Sequence, residues 1–269
     1  MIYIYTDRPH PAAEAEEIEP FLKSLELSVA FCGDVMETLI PPAQNEHFAQ
    51  KCASLRIKEF RKKRNFYKTI PGRFIEEEKA FMAGNQPMAL REDTSNVYEG
   101  YCLLSALRRF IPQEKLNDLH LIFTSRLPMT WDEKDFRYHG RTVTAEFPLA
   151  LISTTGLVEA PAKPREYYLY ELAKERMKEQ GFFTGNAPLI DEKPKFEFLT
   201  YDDPRMKECL KGLTLQAIFF LALLEPFCET QTCRLYNAHW QEELLSSQVN
   251  GRMCQTHQNL MRTVREVVR

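Results

Sequence analysis

The sequence predicts an α/β fold, a mixed sheet with helices, carrying a structural zinc site in its C-terminal third. Three observations predict it. The chain opens strand, helix, strand over residues 1–6, 11–25 and 25–32. Short apolar runs at 119–124, 143–147 and 150–154 add strands between helical stretches, the mixture expected of layered α/β proteins. Finally, an apolar helix runs straight into Cys228-x(4)-Cys233, and Cys254-x(2)-His257 follows after a helix-length spacer. Two short knuckles of soft ligands are how a chain assembles a tetrahedral zinc site.

Each element has a local reason. Residues 1–6 are apolar and aromatic until Asp7-Arg8-Pro9 stops them. The helix over 11–25 is acidic in its first half, where the helix dipole favours acids. Gly33-Asp34 ends the second strand. Residues 47–65 read as a basic helix, with Lys51, Arg56, Lys58, Arg61, Lys62, Lys63 and Arg64 opposite an apolar stripe of Phe48, Cys52, Leu55 and Phe60. An acidic helix follows at 76–83. Val97, Tyr101, Leu104 and Leu107 repeat at helical spacing over 96–110, and Pro112 stops them. Residues 125–140 form a long polar excursion. The APAKP loop precedes a helix that stops at Gly181, and residues 182–204 are loop-rich with one strand-like piece at 195–201. No repeat or low-complexity linker divides the chain, so it reads as a single α/β domain over 1–269 with a zinc-bearing subdomain at about 205–269.

Composition narrows the classes. With 44% hydrophobic residues and 27% charged, the chain can build a core. A net charge of −3 gives no overall pull toward nucleic acid or anionic membrane. The longest apolar run, 217–224, is too short to span a bilayer, and no secretory leader is visible. The expectation is a cytoplasmic protein with no membrane partner. Seven cysteines, an odd number, argue against a disulfide framework. Cys32, Cys52, Cys102 and Cys209 fall in apolar patterns and read as small buried hydrophobes.

The predicted metal ligands are therefore Cys228, Cys233, Cys254 and His257, binding one zinc per chain. Four protein ligands leave no open position, so the site is structural rather than catalytic. Pro226 ends the preceding helix, and a spacer helix over 238–249 buries Trp240, Leu244, Leu245 and Val249.

At these residues the chain resembles the archaemetzincin family of zinc metallopeptidases. Those proteins carry H-E-x-x-H-x-x-G-x-x-H followed at once by C-x(4)-C and later by C-x(2)-C. The resemblance covers roughly the last 150 residues and implies a metzincin-like fold. It puts the second structural zinc of the family on the two knuckles, with His257 replacing the last cysteine. The catalytic pattern is not matched. Its two helical histidines fall on Ala217 and Leu221, its glutamate on Ile218, its third histidine on Phe227 and its supporting methionine on Leu235.

Three readings follow for function. The chain is a metallopeptidase-like protein with a lost catalytic zinc, binding peptide or protein partners by adding a strand near 150–155. Alternatively it is a hydrolase rebuilt around His239, Glu242 and Glu243, which a helix would place one turn apart, with His120, His139, Asp202 and Asp203 converging on them. A third reading, a zinc-stabilised nucleic-acid binder using the basic helix 51–64, is opposed by the acidic total. The Ser/Thr run at 152–156 matches no nucleophile-elbow pattern.

Overall fold

In the computed structural model, which describes residues 1–84, 97–179 and 197–268, the chain runs β1 (Ile2–Asp7), α1 (Ile18–Ser24), β2 (Val29–Asp34), α2 (Val35–Thr38), α3 (Asn45–Ser54), α4 (Gly72–Met82), β3 (Val97–Glu99), α5 (Gly100–Arg108), β4 (Leu119–Thr124), β5 (Leu127–Asp132), β6 (Arg137–Gly140), β7 (Val143–Glu146), β8 (Leu149–Ser153), α6 (Thr154–Glu159), α7 (Arg165–Glu179), α8 (Met206–Leu223), α9 (Gln241–Val249) and α10 (Gln255–Val267). A five-stranded sheet has the order β2-β1-β4-β8-β7. Its strands are parallel except β7, which runs antiparallel to β8 along one edge. A smaller sheet, β3-β5-β6, stands beside it. This is the mixed α/β architecture that the sequence predicts.

The central strands show why. Along β4, Leu119, Leu121 and Phe123 join one core while Ile122 joins the other. In β8, Ala150 and Ile152 face the first core, Leu149 and Leu151 the second. The period-2 alternation of a strand thus feeds two apolar layers, and near-continuous hydrophobic runs result. The first layer gathers residues of α1, α8, α9 and α10, so it runs from Ile2 to Val268. The second gathers α3, α4 and α5.

Several boundaries differ from the sequence reading, each for a physical reason. The polar excursion at 125–140 contains β5 and β6, whose residues pair with each other and with β3 rather than alternating over one apolar face. The helix expected over 96–110 begins only at Gly100, because Val97–Glu99 is a strand and the Glu99 carboxylate accepts from the Cys102 N–H at 2.7 Å as the helix cap; residue 96 lies outside the described residues. The strand-like piece at 195–201 is irregular where described, over 197–201. The predicted end of the preceding helix at Gly181 also lies outside the described residues.

The basic helix is the largest correction. α3 stops at Ser54, and after the cap residue Leu55 the chain leaves the helix, Arg56 and Ile57 forming β-bridges, with the Ile57 N–H donating to the Val97 carbonyl at 2.9 Å and the Glu99 N–H to the Leu55 carbonyl at 3.0 Å. Arg56, read as a solvated cation, is fully buried. Its Nη2 donates to Glu78 Oε1 at 2.7 Å, and the same oxygen accepts from the Tyr98 hydroxyl at 2.6 Å. Glu78 also pairs with Arg126, whose Nε reaches Asp7 Oδ2 at 2.9 Å. Burial alone would push the Glu78 carboxyl up; Arg126 and Arg56 outweigh it and hold the group below the usual carboxylate range.

Candidate metal centre and adjoining cleft

α8 is apolar on nearly every side because it lies against β4, β7, β8 and the helices α1, α6, α9 and α10. It ends where Leu224 takes a left-handed conformation, φ 61°, and returns its N–H to the Phe220 carbonyl at 2.9 Å. Pro226 follows, and the chain folds back. The Cys228 N–H donates to the Leu235 carbonyl at 2.8 Å, and the Cys233 N–H to the Thr230 carbonyl at 2.9 Å, closing the first knuckle as a tight loop. Residues 232–234 then pair with Arg252, which carries the second knuckle beside the first. Cys254 is the N-terminal cap residue of α10, and His257 sits one turn into that helix with its ring edge-on to Phe219 of α8 at 5.4 Å between centroids.

The four predicted ligands are brought together. One ligand atom from each of Cys228, Cys233, Cys254 and His257 lies within 4.8 Å of all the others. Cys228 Sγ is 3.9 Å from Cys254 Sγ, Cys233 Sγ 3.8 Å from His257 Nδ1, and Cys254 Sγ 3.1 Å from His257 Nδ1. Tetrahedral zinc with its usual bond lengths spaces sulfur and nitrogen ligands by about 3.5–3.8 Å, so the residues fit such an ion. Backbone N–H groups also point at two sulfurs: Thr230 at Cys228, 3.4 Å, and Cys254 at Cys233, 3.5 Å. Burial raises the Cys233 thiol to about 11. For Cys254 burial is outweighed, chiefly by the His257 hydrogen bond, and the thiol falls to about 6.

A family model described as "Probable metallopeptidase family (DUF6775)" matches residues 1–264. The chain belongs to that family. No curated protein and no solved structure matches the chain. For a member of a family so described, the informative fact is that, among the described residues, Cys228, Cys233, Cys254 and His257 are the one cluster that could hold a metal.

Beside this centre, a cavity of about 350 Å³ opens between β7, α8 and the chain around residues 226–239. α8 contributes Leu213, Gln216 and Phe220 to its wall. Gln216 is one functional residue that the sequence did not single out: its Nε2 donates to the Tyr236 carbonyl at 2.9 Å and fixes the far wall. Gln241 is another. Fully buried, it accepts from the Leu199 N–H and donates to the carbonyls of Leu157 and Val158, stitching three segments together behind the cavity. An isolated glutamine beginning an acidic helix carries no sequence signal for either job.

The rebuilt-site residues lie elsewhere than a helix would put them. α9 begins at Gln241, not residue 238, so His239 is in an extended, exposed stretch. The Glu243 carboxylate accepts from the backbone N–H groups of His239 and Trp240 at 2.9 and 3.2 Å, capping the helix. Glu242 is exposed, and Trp240, expected in the core, is 46% exposed. His120 is buried in β4, its Nε2 on the Lys115 carbonyl and its Nδ1 on the Tyr5 hydroxyl. His139 pairs with Asp135, and Asp203 with Arg205. Ser153 and Thr155 spend their hydroxyls on the carbonyls of Arg126 and Ser125. Cys52 and Cys209 are buried as expected, whereas Cys32 and Cys102 are half-buried. Among the described residues no helix is long and apolar enough to cross a membrane.

Proposed function

We propose that this chain is a non-catalytic, metallopeptidase-like protein that keeps one structural zinc on Cys228, Cys233, Cys254 and His257 and binds extended peptides in the cleft beside it. The observation that carries the reading is α8. Counted on the archaemetzincin pattern, the helical ligand and base positions fall on Ala217, Ile218 and Leu221, all buried and apolar. The third ligand position falls on Phe227 at the cavity wall. None offers a donor for a metal or a base for water. The glycine of that pattern falls on Leu224, the residue at φ 61°. A left-handed helix stop at that position supports descent from a catalytic helix that has exchanged its chemistry for packing. When bound, zinc would supply folding energy by joining the end of α8 to α10.

The peptide site rests on β7. The Ser153 N–H donates to the Thr142 carbonyl at 2.8 Å, and the register Val143↔Ile152 through Glu146↔Leu149 is unbroken. Residues 142, 144 and 146 therefore spend their peptide groups on β8, while those of Val143 and Ala145 point outward along the cavity. The rim is thus β7, not the strand near 150–155, which is enclosed between β4 and β7. An outward N–H and C=O pair every second residue is what an added strand requires.

Metal content, measured on protein purified without added metal, tests the centre. One zinc per chain in the wild type, lost in Cys228→Ser/Cys233→Ser, is the expected result. A second equivalent that survives the double substitution would overturn the non-catalytic reading. Ala145→Pro tests the rim: it removes an outward N–H and no ladder bond, so peptide binding falls while the melting temperature holds.

A further inference from the structure

We propose that the cleft selects peptides that place a carboxylate beside an apolar residue, and that Arg141 is the residue that reads it. This rests on the peptide-binding reading of the same cleft. Among the described residues no Asp or Glu lines the cavity, although the chain as a whole is acidic; its charged wall residue is Arg141, with His239 as the other basic side chain. Arg141 is held rather than loose. Its Nε donates to Thr130 Oγ1 at 2.6 Å, and Thr130, itself in the wall, is 7% exposed. That bond fixes the guanidinium plane and leaves Nη1 and Nη2 without a hydrogen-bond partner among the described residues, a two-pronged donor matched to a carboxylate, with Asp132 outside the cavity lining as the nearby carboxylate that feels its charge.

Thr144, also in the wall, adds no donor to the cleft: it is 3% exposed and its Oγ1 is packed against Gly100. Part of the wall is apolar: Leu213, Phe220, Phe227 and Leu244 offer a side chain a greasy seat, beside the polar Thr142, Gln216 and Asn237. Arg141 precedes β7 in the chain, so a peptide laid antiparallel to β7 brings its C-terminal side to the guanidinium, and a parallel one its N-terminal side. The carboxylate is therefore a Glu or Asp side chain, or the peptide's own C-terminus.

The test is fluorescence polarisation on the full chain with fluorescein-labelled degenerate octapeptides carrying one fixed Leu. Four pools are compared: Glu two residues after the Leu, Glu two residues before it, no acid but a free C-terminal carboxylate, and Gln with an amidated end. At least one acid-bearing pool should bind about tenfold tighter than the Gln pool, the worth of one charged hydrogen-bonding group. Which pool wins distinguishes side chain from C-terminus. Arg141→Gln should erase the preference, read as the ratio of acid-bearing to Gln-pool affinity measured within the variant itself. Equal binding of all four pools by the wild type would overturn the carboxylate inference while leaving the peptide cleft standing. A preference that persists in Arg141→Gln would remove Arg141 as its reader. Binding by no pool would overturn the cleft reading and this inference together. The wild-type comparison between pools does not depend on the variant folding.

Discussion

Arg126 and Cys233 are both sealed from solvent, at 1% and 0% exposure, and both tie distant stretches of chain together, but they do it by opposite means. Around Arg126 the chain balances its own charges: two guanidinium groups, Arg56 and Arg126, meet two buried carboxylates, Asp7 and Glu78, and Tyr98 and Thr124 donate to the same carboxylates, although Arg126 Nη2 is left without a hydrogen-bond partner among the described residues. Around Cys233 it does not. Three thiols and an imidazole converge, and among the described residues no lysine or arginine pairs with them. One region balances its charges within the polypeptide; the other gathers four ligands that could hold an ion. The difference teaches where this fold is conditional.

The sharpest way to break that comparison is to remove the ion. Structural zinc contributes about 10–16 kcal/mol in small zinc domains, as much as a whole domain's stability of about 5–15 kcal/mol. In Cys228→Ser/Cys233→Ser, or in wild type stripped by a chelator, residues 228–268 should lose amide protection first, measured by hydrogen exchange, while β1, β4 and β8 retain it longer. Unchanged protection over 228–268 would mean that the packing of α10 on α8 suffices and the two regions are alike after all.

The second way attacks the other side. Glu78→Gln leaves Arg56 and Arg126 buried without their shared counter-charge, and losing one partner of a buried pair costs about 3–5 kcal/mol. Urea denaturation should register that loss with zinc content unchanged. The sign with pH follows from the depressed Glu78 carboxyl. Its stabilisation is fully present above the unfolded value near 4.5 and is lost as pH falls through the lower folded value. The gap between wild type and Glu78→Gln should therefore close in acid. His10 and His120, both held below 6.5 by burial, act in the same direction at higher pH: stability falls in wild type and variant alike as pH drops below 6.5.

How much of each region could be read in the sequence follows the same division. The metal centre was legible because its signal is local: Cys-x(4)-Cys and Cys-x(2)-His name their residues and chemistry within a few positions. β4 and β8 were legible because alternation over two apolar layers makes a continuous hydrophobic run. The charge network was not. Arg56 looks like any member of a basic run until Glu78, twenty-two residues away in sequence, reaches it. β5 and β6 were hidden for a related reason, since their partners and not their own pattern make them strands. The cleft was half legible: α8 announced itself, but that β7 rather than β8 is the open edge is a matter of strand order, which no single strand encodes.

Between the knuckles, Gly251 offers a smaller cut. A Cβ there would collide with the backbone carbonyl oxygens of Ser247 and Thr232, and backbone cannot swing aside as a flexible side chain can. Gly251→Ala should cost about 1–3 kcal/mol by overpacking. Because Arg252 next to it pairs the two knuckles, zinc retention under a competing chelator should weaken in step. A melting temperature that drops with zinc retention unchanged would separate the turn from the metal centre.

The smallest expected effect bears on history as well as energy. Leu224 holds φ 61° with its side chain 74% exposed, so it gains little from burial and bears the strain that an L residue feels in the left-handed region. Glycine carries no such strain at a helix end, and its extra freedom in the unfolded chain takes back only part of the benefit. Leu224→Gly should therefore stabilise the protein, by about 0.5–1 kcal/mol, seen as a small rise in the urea midpoint with an unchanged slope. A protein under selection to turn sharply there would be expected to keep glycine; one that needs the turn only to deliver Cys228 to its partners can tolerate leucine. If Leu224→Gly is neutral or destabilising, the leucine side chain is making a contact of its own at the mouth of the cleft, and peptide affinity measured on the same variant should then fall.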